Sequence, residues 1–111
     1  MAANSVPPPQ RTLTIEHLVS GDGTPTLVCH GRITAESSNL FKSEVKSLAA
    51  QHKRVLADLS GVNFVDSSGL GAVLATYTSA KTAGCELRLI KVHPQVKDLL
   101  NITHLASVLE G

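Results

Sequence analysis

Asp66-Ser67-Ser68-Gly69-Leu70-Gly71 closes a short apolar stretch and opens a run with helical periodicity, and this junction decides the fold. Upstream, Val55-Leu56-Ala57-Asp58-Leu59 lacks the alternation of a half-exposed strand, which suits a strand buried on both faces of a layered α/β domain. Residues 60–65, Ser-Gly-Val-Asn-Phe-Val, read as a loop that carries the chain to Asp66. Downstream, Leu70, Val73, Leu74 and Tyr77 recur at i, i+3, i+4 and i+7, the stripe of a helix packing one face on a sheet. Asp66 is then the N-cap, its carboxylate accepting from the free N–H of Ser68 or Gly69. Ser67 and Ser68 fall in the first helical turn.

Hydroxyls in that position have two uses. They satisfy orphan backbone donors and do nothing more. Alternatively one of them accepts a phosphoryl group, because a helix N-terminus offers N–H groups and the positive end of a dipole, about 0.3–1 kcal/mol per favourable charge at an exposed end. A phosphate there leaves the fold intact and acts on whatever docks.

The two quoted stretches, with Val65 ahead of Asp66, resemble the signature of the STAS domain, the sulfate-transporter and anti-sigma-factor-antagonist family, in its single-domain bacterial antagonist form. Gly84-Cys85-Glu86-Leu87-Arg88-Leu89 resembles the family's next turn and strand. Leu100-Asn101-Ile102-Thr103-His104-Leu105 resembles a late segment that usually reads Thr-Gly-Leu. The resemblance runs from about Leu13 to Leu109.

Working outward, residues 1–10 are polar, contain Pro7-Pro8-Pro9 and lack the basic start and apolar run of a signal peptide; a disordered tail is expected there, with the domain spanning 11–111. A length of 111 residues suits one domain that buries a core without disulfides or metal. Net charge is +1, and the aromatic residues are Phe41, Phe64 and Tyr77, so neither a basic face nor stacking rings point to nucleic acid. No apolar stretch reaches the length of a membrane span. Cys29 and Cys85, far apart and beside predicted strands, read as reduced core residues of a cytoplasmic protein.

Residues 11–17 and 26–30 read as an antiparallel hairpin around Gly21-Asp22-Gly23-Thr24-Pro25. A helix follows from Ala35 or Glu36 to about Gln51, with Thr34 as N-cap, Phe41, Val45 and Leu48 as its apolar stripe, and Lys42, Glu44 and Lys46 toward water. The second helix runs from Ser67 to about Ala83 and stops at Gly84. Then come a strand over 86–92, a short helix beginning at Pro94, and a last short strand over 107–110. The expected fold is α/β: one mixed sheet of four to five strands with helices packed on it, the helices supplying the crossovers between parallel neighbours.

The resemblance implies a similar fold and a binding module switched by a kinase. In such antagonists the unphosphorylated form binds an anti-sigma factor, itself an ATP-dependent serine kinase, and so releases a sigma factor. The kinase phosphorylates the first serine of Asp-Ser-Ser-Gly and a phosphoserine phosphatase reverses it. Carried over, the phosphoacceptor is Ser67, with Ser68 the second choice, and the partner surface takes in Asp66, Ser67, Ser68, Gly69 and Leu70 with Arg32 and Thr34. Relatives often carry an acidic pair where this chain has Arg32 and Thr34, which makes the region more basic and implies an atypical kinase or an Arg32 that pairs with the phosphate. Relatives also commonly continue into a further helix beyond the position of Gly111. Apolar surface left open by its absence suits a homodimer.

Enzyme readings find little support. Ser67 is not framed as Gly-x-Ser-x-Gly, and His17, His30, His52, His93 and His104 show no spacing that makes a base or a ligand pair, so no metal or cofactor is expected. Residues 66–71 lack the lysine and spacing of a nucleotide loop. The stronger rival keeps the fold and changes the role, making the chain a STAS scaffold subunit of a transport assembly, of the lipid-transport type, or of a stress-sensing one, without phosphorylation.

Overall fold

The computed structural model describes residues 13–109, so the expected tail over 1–10, the first two residues of the expected first strand and the end of the expected last strand lie outside the described residues. Four strands and four helices follow one another as β1 (Leu13–Val19), β2 (Pro25–Ile33), α1 (Ser38–Ala49), β3 (Arg54–Val65), α2 (Ser67–Thr82), β4 (Glu86–Ile90), α3 (Pro94–Ile102) and α4 (Ala106–Leu109). The sheet order is β1-β2-β3-β4. β1 and β2 form the expected antiparallel hairpin, while β2 with β3 and β3 with β4 are parallel.

Parallel neighbours need crossovers, and α1 and α2 provide them, packing on each other as well as on the sheet. The face they cover is closed: Leu27 and Cys29 of β2, Val55, Ala57 and Leu59 of β3, and Leu87 and Leu89 of β4 are all buried. The opposite face is partly covered, with Thr26, Val28, Leu56, Arg88 and Ile90 half-buried. α4 lies on that second face, where Arg88 Nη1 donates to the Val108 carbonyl at 3.0 Å.

Three expectations are corrected. Residues 60–65 are not a loop but the second half of a twelve-residue strand. Gly61, within that stretch, marks a close approach: a Cβ there would stand 2.3 Å from His30 Nδ1 and 2.9 Å from the Cys29 carbonyl oxygen, at a register shift in the β2–β3 ladder. Thr34 does not cap α1. Ser37 Oγ accepts from the Thr34 N–H at 2.9 Å and donates to the Arg32 carbonyl at 2.8 Å, which holds 34–37 in a turn and moves the N-cap to Ser37. Residues 106–109 are a helical turn and not a strand, because the preceding helix already reverses the chain at Thr103-His104-Leu105.

Other elements stand close to their predicted places. α2 ends at a Schellman motif, with Gly84 at φ 85° and the Cys85 N–H reaching the Ala80 carbonyl at 2.8 Å. Pro94 occupies the first turn of α3. Cys29 and Cys85 are both free and buried. Glu44, expected toward water, is half-buried and meets His17 Nε2 of β1 at 2.7 Å.

Candidate functional site

The site is built where β3 hands over to α2. Asp66 has extended backbone (φ −88°, ψ −179°), which turns its side chain back over the helix start. Its Oδ1 accepts from the Gly69 N–H at 2.6 Å, and its carbonyl receives the Leu70 N–H at 2.8 Å. Of the two donors expected from the sequence, Gly69 is the one used. Among the described residues, the N–H groups of Ser67 and Ser68 have no backbone partner, which is what a helix start presents to an anion.

Gly69 is fixed by sterics. The first turn of α2 presses on the end of β2, where an added Cβ at Gly69 would come within 1.9 Å of the Ile33 carbonyl oxygen. The same carbonyl accepts from the Asp66 N–H at 3.3 Å. Two strand ends and one helix start are thereby locked together, and Ser67 and Ser68 project from the junction, exposed. No side-chain hydrogen bond holds either hydroxyl among the described residues. No acidic residue follows Asp66 in the turn. Among the described residues, nothing in the fold uses these hydroxyls.

The buried stripe of α2 is Gly69, Val73, Thr76 and Ala80, one step round from the expected stripe. Leu70 and Tyr77 flank it, half-buried, so Leu70 sits at the margin of the exposed first turn. Thr76 is tolerated inside because its hydroxyl donates to the Ala72 carbonyl at 2.6 Å.

The remaining expected site residues separate. Thr34 is buried; its hydroxyl accepts from the Glu36 N–H at 3.3 Å and it shapes the turn before α1. Arg32 is exposed and stands beside Phe64 across the β2–β3 ladder. Successive strand residues point to opposite faces, so this pair faces away from Ile33 and Val65. Its guanidinium forms no ion pair among the described residues. Phe64, 47% exposed, was not singled out by sequence reading, although an aromatic residue two positions ahead of Asp66 in a chain with only three aromatics was the available signal.

Among the described residues, no group of three or more His, Cys, Asp or Glu side chains is placed to hold a metal ion, and no helix is long and apolar enough to cross a membrane.

Comparison with known proteins agrees with this fold. A family model described as STAS domain matches residues 18–110. A STAS-domain containing protein of Pseudomonas aeruginosa is 26% identical over 97 residues, covering 86% of this chain and 96% of the relative. The anti-sigma-B factor antagonist of Bacillus subtilis is 28% identical over 80 residues, 72% of this chain and 73% of the relative. In three dimensions, the crystal structure of an anti-sigma factor antagonist from Mycobacterium paratuberculosis superposes with a TM-score of 0.73 at 20% identity, covering 87% of this chain and 82% of that one. A sulfate transporter family protein from Wolinella succinogenes gives 0.70 at 18% identity, covering 83% and 75%.

Proposed function

Because this chain belongs to the STAS domain family, we propose that it is an anti-sigma factor antagonist: a cytoplasmic binding protein, not an enzyme, that captures an anti-sigma factor and frees a sigma factor. The partner is an ATP-dependent serine kinase that inactivates the antagonist by phosphorylating Ser67, and a phosphoserine phosphatase restores it. Support comes above all from Ser67 itself, an exposed hydroxyl with no structural role at the N-terminus of α2. The names of the Bacillus subtilis relative and the Mycobacterium paratuberculosis structure agree with this function.

The residues divide the work. Asp66 and Gly69 hold the helix start, Thr34 holds the neighbouring turn, and Ser67, Ser68, Leu70 and Arg32 meet the partner. Ser68 is the second choice as acceptor. Phosphorylation adds about −1.5 to −2 charges, which the helix start tolerates but a closing partner must strip of water. A penalty of about 3 kcal/mol for an uncompensated buried charge weakens binding roughly 100-fold. The Asp66 carboxylate would repel a phosphate about 5 Å away by roughly 3 kcal/mol per unit charge at an effective dielectric of 20. Its engagement with the Gly69 N–H turns it into the cap, as a phosphoacceptor beside it requires.

The fold shared with a sulfate transporter family protein favours the second reading, a scaffold subunit of a transport assembly that is not phosphorylated. Affinity capture from the source cell with wild type, Ser67→Ala and Ser67→Asp as baits separates the two. An ATP-binding kinase retained by wild type and Ser67→Ala but lost by Ser67→Asp is the expected result. Retention of the same transporter proteins by all three baits would establish the scaffold instead.

A further inference from the structure

We propose that the groove between α1 and α2 binds a medium-chain alkyl carboxylate, with Lys42 and Lys46 holding the carboxylate. The groove encloses about 360 Å³, within the size range of small-molecule sites. It involves the C-terminal half of α2, beginning at Thr76, roughly 13 Å along the helix from Ser67. It is a site separate from the phosphoacceptor.

The groove exists because small residues meet where α1 and α2 pack. Ala49 comes from α1, Ala80 from α2 and Ala83 from the C-cap of α2, and together they leave unfilled the space that larger side chains would take. Val45, Ala49 and Ala80 are themselves buried, so the floor of the apolar lining is recessed, with Ala50 and Ala83 exposed at its end. A recessed lining admits a single alkyl chain and offers no open apolar face to a bilayer. From Lys42 to Ala50 the wall spans nine residues of α1 and its C-cap, roughly 12 Å, which matches a chain of medium length.

Charge selects the head group. Lys42 and Lys46 stand at i and i+4 on one face of α1, and both line the groove. Among the described residues, no acidic side chain lines it. Neither ammonium forms an ion pair among the described residues. An anionic head therefore binds between the two lysines, with the tail running toward Ala83. A cationic or neutral head of the same length gains nothing there.

Titration of the 15N-labelled full chain with sodium decanoate, followed by amide chemical shifts, tests this. Saturable shifts concentrated at Val45, Ala49, Ser79 and Ala80 are expected, with no such response to decyltrimethylammonium. The exposed double substitution Lys42→Glu/Lys46→Glu raises the decanoate Kd about tenfold. Ala50→Leu, also at an exposed position, narrows the tail end and weakens binding without touching charge; the unperturbed amides of the sheet report that both variants fold. Absence of saturable shifts, equal affinity for decyltrimethylammonium, or a Kd unchanged by the charge reversal would overturn the proposal. So would binding to phosphatidylglycerol vesicles without binding of free decanoate, which would make the lysines a membrane-facing surface.

Discussion

At Asp66, one carboxylate carries two consequences. It caps α2 through the Gly69 N–H, so Asp66→Ala should lower stability in urea unfolding by about 1 kcal/mol. Asp66→Asn keeps an acceptor oxygen and should cost less, while removing a charge beside the proposed phosphoacceptor. We therefore expect it to preserve the fold and change the rate at which the kinase modifies Ser67; an unchanged rate would confine Asp66 to capping. Gly69 is the stricter position. A methyl group placed 1.9 Å from the Ile33 carbonyl oxygen must push helix and strand apart, and Gly69→Ala should cost about 3 kcal/mol, the upper part of the range for overpacking. A loss under about 0.5 kcal/mol by the same measurement, the size of an ordinary surface substitution, would show that the junction yields freely.

Two helices end in the same way, with different residues at the decisive position. After α2, Gly84 takes φ 85° and the Cys85 N–H bonds the Ala80 carbonyl; after α3, His104 takes φ 61° and the Leu105 N–H bonds the Leu100 carbonyl at 2.9 Å. The left-handed conformation costs a side-chain-bearing residue roughly 1–2 kcal/mol. His104→Gly, which restores the Thr-Gly-Leu usual in the family, should therefore stabilise the protein by about 1 kcal/mol, read as a raised urea midpoint. A lowered midpoint would mean that the exposed His104 ring makes a contact that outweighs the strain. Elements of this kind decide what was legible in the sequence. The start of α2 was legible because Asp66 is a strong cap directly ahead of a periodic run, and the end of α2 because Gly84 is the usual stop. The second half of β3 was not, because Ser60-Gly61 has the composition of a turn while its glycine serves a close approach to β2. The start of α1 was ambiguous because Thr34, Ser37 and Ser38 are all cap formers, and tertiary hydrogen bonds to Arg32 and Thr34 chose Ser37. Residues 106–109 are too few for either period to declare itself. At the junction, the exposed place of Ser67 in the first turn of α2 was legible from the run after Asp66, whereas the burial of Thr34 was not, because β2 ends at Ile33 and the Ser37 hydrogen bonds turn Thr34 inward.

Across the whole molecule, one closed sheet face carries the stability, and its chemistry shows in the pH response. Burial, and then the nearby Asp58 charge, push the Cys29 thiol from an ordinary 9.0 up to about 12. Between those values the folded chain holds a proton that the unfolded chain has released, so stability falls as pH rises above 9.0 and the loss from this group is complete at about 12. Urea unfolding as a function of pH should show that decline, reduced in Cys29→Ala. An identical decline in both would place its origin elsewhere. The same rigid frame suits the proposed switch: β2, β3 and α2 are locked at Ile33, Asp66 and Gly69, so a phosphate on Ser67 would change the charge of this surface and not its shape. The most direct test is calorimetric titration of the anti-sigma kinase with this protein and with its Ser67-phosphorylated form. We predict roughly 100-fold weaker binding for the phosphorylated form with an unchanged far-ultraviolet dichroism spectrum; equal affinity for the two forms would contradict a phosphorylation-controlled antagonist.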